Sequence, residues 1–280
     1  MRSLPVVLIL VAGILSFVLR SAAGQEQYSN YRDARRAAVP FLMKRDYAGS
    51  RIPLEASLRL AENDDQRVEA YESLIPAYRE LPEAEKMVEA SEYLIEHIDS
   101  KTKRSLIARS TATFYHQRGM TKGAIERYEE TLRKDKSDIV SVALLAQIYS
   151  YVERNAEKAT AMEAKLTEIE VKLDTAKAKR LEEQAAADPM LQAALYKDAG
   201  LAWLDAGNIE QALAAAEKSL AGPPEGRGAT LVYFWRMSLG DIFAKGGQIE
   251  KARTQYQLSI AAAPSDVLKK GPQEKLDALK

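Results

Sequence analysis

An all-α fold of paired helices is what this sequence predicts, and three observations predict it. Apolar residues recur with helical periodicity over almost the whole chain. The alternation of β-branched residues around Asn-Gly or Asp-Gly that signals a strand hairpin is missing. Six short loops recur, each followed by a similar run such as "AIERYEETL" or "ALAAAEKSL", and self-similarity of this kind marks a repeat architecture. With 280 residues, 46% apolar and 29% charged, the chain can bury a substantial core and is globular rather than disordered.

The first element is an export signal. Arg2 supplies a positive start, Leu4 to Leu19 an apolar stretch, and Ser21-Ala22-Ala23 a small-residue cleavage site. The apolar run is shorter than the roughly 20 residues of a membrane span. The reading is a cleaved signal peptide over 1–23, with an uncleaved N-terminal anchor as the rival. Either way the remainder is exported, to the periplasm or the exterior of what the signal style suggests is a bacterial cell. After the cut, 38 basic residues face 40 acidic ones. That balance argues against a nucleic-acid partner, which normally demands a strongly basic face. The lack of cysteine excludes disulfides, thiolate metal sites and a lipid-bearing N-terminal cysteine.

Helix pairs follow, separated by "MKRDYAG" at 43–49, "RELPEAE" at 79–85, "QRGMTKG" at 117–123, "VERNAEK" at 152–158, "DAGNIEQ" at 205–211 and "KGGQIEK" at 245–251. Aligning the residue that opens each second helix gives Ser50, Met87, Ala124, Ala159, Ala212 and Ala252, at spacings of 37, 37, 35, 53 and 40. The spacing of 40 reflects a Pro- and Gly-rich loop at 222–230. The spacing of 53 hides half a repeat. Between Ala156 and Ala187 there is no Gly or Pro, so this stretch reads as one long projecting helix or as two shorter helices bent near Asp174, the second being preferred. The organisation expected is thus N-terminal helical pairs over 24–99, two repeats over 100–172, a connecting segment at 173–192, two repeats over 193–265 and a capping helix at 266–280.

Ala112, Tyr115, Gly119, Ala124 and Tyr128 run as small residue, aromatic, turn glycine, alanine and second aromatic, a spacing that resembles the tetratricopeptide repeat family. Gly200, Trp203, Gly207 and Ala212 follow it too, with Pro224 at the terminal proline and Ala216 in place of the second aromatic. Gly240, Phe243, Gly247, Ala252, Tyr256 and Pro264 match best. The unit at 139–172 keeps Ala146, Tyr149 and Ala159 but holds one extra residue in its turn. The units near 31–64 and 68–99 are weaker. The resemblance implies helix-turn-helix repeats stacked into a right-handed superhelical solenoid, with small residues facing each other inside each pair and aromatics filling the gaps between pairs.

Chemistry-bearing motifs are sparse. His97 and His116 are too few for a three-histidine metal site and are not an i, i+4 pair. No His-Glu-x-x-His run, serine elbow or phosphate-cradling glycine loop occurs, and Gly226-Arg227-Gly228 is a lone fragment. Asp64-Asp65 and Glu182-Glu183 are adjacent pairs that do not face each other on a helix. No enzyme activity, metal, cofactor or small-molecule substrate is expected. A basic cluster, Arg32, Arg35, Arg36, Lys44 and Arg45, follows the export signal; it reads as ordinary surface, or as a contact for anionic lipid or polymer.

What the family resemblance implies is a protein-binding groove lined by the first helices of the pairs. On this chain the wall is Arg109, Thr113, His116 and Gln117, then Gln147 and Tyr151 beside Ala143 and Ser150. It continues with Lys197, Asp198 and Leu201, then Phe234, Met237 and Asp241. Exposed Tyr151, Phe234 and Met237 beside a few charges suit an extended peptide or a partner helix. A clamp for a C-terminal carboxylate, known in some members, lacks its asparagines here, and Ala143 breaks its basic line. The function expected is an exported, non-catalytic interaction scaffold. The alternative is an envelope assembly or chaperone-like factor for unfolded protein or a polyanionic polymer. The only membrane contact foreseen is a retained N-terminal segment.

Overall fold

The computed structural model describes residues 28–222 and 228–279. The expected signal peptide, Pro224 and Gly226-Arg227 lie outside the described residues. Among those described, every regular element is helical. In chain order they are α1 (Tyr31–Met43), α2 (Tyr47–Arg59), α3 (Asp64–Glu80), α4 (Ala84–His97), α5 (Lys101–Gln117), α6 (Thr121–Lys134) and α7 (Ile139–Gln147). A π-turn at Ile148–Val152 follows, then α8 (Ala156–Ala187), α9 (Gln192–Asp205), α10 (Ile209–Leu220), α11 (Ala229–Lys245), α12 (Ile249–Ala262) and α13 (Asp266–Asp277). Two compact units result, Met1–Leu166 and Thr167–Lys280.

Helices pack in adjacent pairs. In the first unit α1 packs along α2 and α3 along α4; in the second α9 packs along α10 and α11 along α12, with α13 on α12. The α5–α6 pair differs: α5 lies mainly against α4 and α7 and touches α6 only sparsely. Ser50, Met87, Ala124, Ala159, Ala212 and Ala252 are each the fourth residue of their helix. Each donates its backbone N–H to the carbonyl of the residue just before that helix begins, and each is buried. The six hairpins therefore share one register at the entry to the second helix, even where sequence spacing differs.

The turns share a second device. Gly119, Gly207 and Gly247 take φ of 69°, 77° and 73°. In each case the following N–H caps the carbonyl of the motif's aromatic: Met120 to Tyr115, Asn208 to Trp203 and Gln248 to Phe243, all at 2.8 Å. This is a left-handed residue closing a helix C-terminus. Arg45 adopts the same conformation (φ 55°), and Asp46 N–H reaches the Phe41 carbonyl at 2.9 Å. Arg154 (φ 54°) does so as well, with Asn155 N–H bonding the Tyr149 carbonyl at 2.9 Å. The extra residue noted in that turn is housed as the π-turn, a usual way for a helix to absorb an insertion. A side chain in this conformation is strained where glycine is not. Arg45→Gly and Arg154→Gly are each expected to stabilise the protein by about 0.5–1 kcal/mol, read as a higher denaturation midpoint.

The first unit's core gathers Leu54, Leu74, Met87, Ile95, Tyr115, Leu144 and Ile148. The second gathers Trp203, Ala212, Trp235, Leu239, Phe243 and Tyr256. Across pairs runs a polar ladder in which a carboxylate takes a cation about one repeat further along the chain. Lys86 bonds Glu55, Lys103 bonds Glu72, Arg127 bonds Glu92 and Lys158 bonds Glu129 at separations of 31, 31, 35 and 29 residues. In the second unit Lys251 bonds Glu217 and Lys275 bonds Asp241, both at 34. Arg104, 5% exposed, donates to the carbonyls of Ile95 (2.9 Å) and Ile98 (2.6 Å), placing a cation at the C-terminus of α4.

Residues 156–187 correct the preferred expectation of two helices bent near Asp174. They form one uninterrupted helix of 32 residues, and the expected boundary at 172–173 falls inside it. It is not a free projection either. Ala159, Met162 and Leu166 join the first unit's core, and Ala178 and Leu181 the second's. The composition explains the continuity, for Ala, Glu, Lys and Leu are strong helix formers and nothing interrupts them.

Candidate functional site

In the first unit, Arg109, Thr113, His116 and Gln117 lie exposed along α5. The Thr113 hydroxyl donates to the Arg109 carbonyl at 2.9 Å. Tyr151, 51% exposed, sits on the π-turn, with the Arg109 guanidinium 4.0 Å from its ring centroid. Such a cation over an aromatic face is an attractive contact and holds the ring upright at the surface. Ser150 donates to Glu163 at 3.2 Å. Gln147, expected on the wall, is instead buried at 8%. Nearly every side chain of α7 is buried, so it has no solvent face to offer. In an uninterrupted α-helix Tyr151 would follow Gln147 by one turn onto the same buried face. The inserted π-turn residue rotates it by about 100°, outward.

In the second unit the expected wall divides. Lys197 and Asp198 pair at 2.7 Å. Phe234 is 47% exposed and meets Tyr233 edge-on, with centroids 4.8 Å apart. With Lys197, Leu231, Ala194 and Trp235 it lines a cleft of about 540 Å³. Leu201 is half-buried against the core. Met237 is half-buried, and its sulfur accepts from the Tyr233 hydroxyl at 3.7 Å. Asp241 is engaged: it accepts from the Tyr256 hydroxyl at 2.7 Å and from Lys275 of α13 at 2.6 Å. These contacts tie Asp241 to the terminal helix.

One cleft escaped sequence reasoning. Beside the α5–α6 turn, Glu85, Val88 and Glu89 of α4 with Tyr115, Met120 and Ala124 line about 640 Å³. Its one sequence signal is Met120, an apolar residue in an otherwise polar turn. Behind it the Tyr128 hydroxyl donates to Glu92 at 2.5 Å and bonds the Tyr115 hydroxyl at 2.7 Å, while Arg127 holds Glu92 at 2.9 Å. Among the described residues no group of three or more metal-capable side chains comes together.

Burial, then the neighbouring tyrosine and carboxylate, pushes the Tyr128 hydroxyl far above the ordinary phenol range. Burial and Glu55 do the same to Tyr78, and burial and Asp241 to Tyr256. A group whose folded pKa is raised favours the folded state fully below its unfolded value and withdraws that support as pH rises above it. Stability is therefore expected to fall as pH passes the unfolded tyrosine value of 10.0. Denaturation midpoints across that range check it, and Tyr128→Phe should flatten the loss.

Neither a protein-family model nor a curated protein matches the chain.

Proposed function

We propose that the chain is an exported helical-repeat protein of the tetratricopeptide kind, which binds a protein partner and catalyses nothing itself. Its hairpins, in this reading, continue into a right-handed superhelical stack. The observation that carries the reading is the shared register of six hairpins, with the same fourth-residue burial in each. A repeat whose units differ only in their outward side chains is suited to presenting a surface. Each compact unit holds a large aromatic in the open, Tyr151 braced by Arg109 in the first and Phe234 beside Lys197 at a cleft in the second. Aromatic anchors with an adjacent cation are what peptide and helix recognition draws on.

The test is crosslinking of tagged protein in its native cells, with the captured proteins and the recovered N-terminus identified. Wild type should hold one or two dominant partners. Tyr151→Ala and Phe234→Ala should each weaken capture at least tenfold, about 1.4 kcal/mol, without lowering stability. Unchanged capture by both variants would remove these aromatics from the interface. A diffuse collection of envelope proteins would favour the chaperone-like reading instead.

A further inference from the structure

The first helix carries a face that nothing among the described residues occupies. On α1 the core takes Tyr31, Ala34 and Ala38, and Arg35 is spent on Glu69 at 2.6 Å and Ser73 at 2.5 Å. The opposite side holds Arg32, Arg36, Val39 and Met43, at i, i+4, i+7 and i+11, which places them in a stripe about 60° wide. All four are exposed, Val39 at 48% and Met43 at 82%. Lys44 and Arg45 continue the stripe into the turn, both exposed. Among the described residues no ion pair forms at Arg32, Arg36, Lys44 or Arg45. The single acid of α1, Asp33, lies about a quarter-turn away and accepts from Ser29 (2.9 Å) and Asn30 (2.8 Å). Residues 28–60 carry seven basic side chains against three acidic, whereas 61–280 carry 31 against 36. The positive charge of this nearly neutral chain is thus gathered on the segment that also exposes Val39 and Met43.

We propose that this stripe is a docking surface for an anionic lipid bilayer, with α1 lying in the interface plane. Cations spaced along a helix meet lipid phosphates, while Val39 and Met43 enter the boundary between headgroups and acyl chains. A soluble polyanion accounts for the arginines and lysine but gives Met43 and Val39 nothing to enter. An apolar protein surface accounts for those two but leaves four cations without partners. In a chain that keeps its N-terminal run, position favours the bilayer too: the run ends at Leu19, twelve residues before Tyr31 opens α1. At the most that an extended chain spans, about 3.5 Å per residue, the helix stays within reach of any membrane holding that run.

The full-length chain has no cysteine, so M43C labelled with a polarity-sensitive fluorophore reports on this position alone; V267C, 76% exposed on α13 in the native chain, is the control. Vesicles of phosphatidylglycerol and phosphatidylcholine should blue-shift the probe at 43 and leave the one at 267 unchanged. Pure phosphatidylcholine should produce little shift, and added salt should reverse it. R32Q/R36Q should raise the lipid concentration for half-maximal shift roughly 25-fold, at about fivefold per charge. An equal shift on neutral lipid, or no effect of R32Q/R36Q, would overturn the proposal. So would a shift with inorganic polyphosphate alone, which would assign the stripe to a polyanion. A probe already shielded before lipid is added would assign it to residues 1–27 or to a second copy.

Discussion

Trp235→Ala is expected to cost about 3–5 kcal/mol, the usual loss for emptying a buried indole site. Trp235 is 3% exposed in α11. Its indole N–H donates to the Ser219 hydroxyl of α10 at 2.9 Å, and Ser219 in turn donates to the Ala193 carbonyl of α9 at 2.6 Å. One side chain therefore joins three helices of the second unit through packing and a two-step hydrogen-bond chain. Trp235→Phe separates the parts: it keeps most of the volume, removes the donor to Ser219 and should cost about 1–2 kcal/mol. Trp203 supplies the contrast. It is buried at 6%, yet its indole N–H finds no acceptor among the described residues. Trp203→Phe loses no hydrogen bond, so its cost should be confined to lost contact area and stay below that of Trp235→Phe. Urea unfolding followed by circular dichroism measures all three. Equal losses for the two Phe variants would show that the Ser219 contact contributes nothing.

The sequence motif ranks these two tryptophans in the opposite order. Trp203 occupies a recognised aromatic position, whereas Trp235, five residues before the small residue Gly240 of its repeat, occupies none. The pattern encodes where an aromatic backs onto the turn, and the structure obeys it: the carbonyls of Tyr115, Trp203 and Phe243 all receive the cap from beyond the left-handed glycine. It does not encode which polar atom lies across the pair, because that depends on Ser219, a residue of no special type in the motif. The turns at Arg45 and Arg154 were illegible for a related reason. Glycine announces a positive φ, but arginine is driven into one by its surroundings, and only coordinates reveal it.

The candidate surface divides along the same line. Arg109, Thr113, His116 and Gln117 follow from helical periodicity on a regular α5, and the structure leaves them exposed. Gln147 and Tyr151 do not follow, since a π-turn between them breaks the period on which the mapping relied. Asp241 was placed on the right helix, but its occupation by Lys275 is a contact 34 residues away. Residues 156–187 show the converse error. The spacing of 53 demanded a half repeat, and that demand outweighed the plainer local signal of an unbroken run of helix formers. Local propensity prevailed because a helix of 32 residues, about 48 Å long, absorbs the extra residues without a turn.

Gly240→Val is expected to cost about 3 kcal/mol, although Gly240 has ordinary helical backbone and sits far from any turn. The family resemblance pairs it with Ala252, small against small. In the structure the nearest atoms to a Cβ at this position belong to the ring of Tyr256 on α12, inside contact distance at three ring carbons. That ring cannot swing aside cheaply, because its hydroxyl is held by Asp241 at 2.7 Å and Asp241 is held by Lys275. Adding atoms here forces α11 and α12 apart, which is the overpacking penalty of a closely packed core. The strain then propagates to α13 through the same two residues. A second substitution isolates this mechanism: Gly240→Val with Tyr256→Ala should recover part of the loss, since the larger neighbour is gone and the cavity it leaves accepts the valine. If the double variant is no more stable than the sum of the single losses predicts, the close approach of Tyr256 is not what requires glycine at 240, and the lost packing between the helices must have another cause.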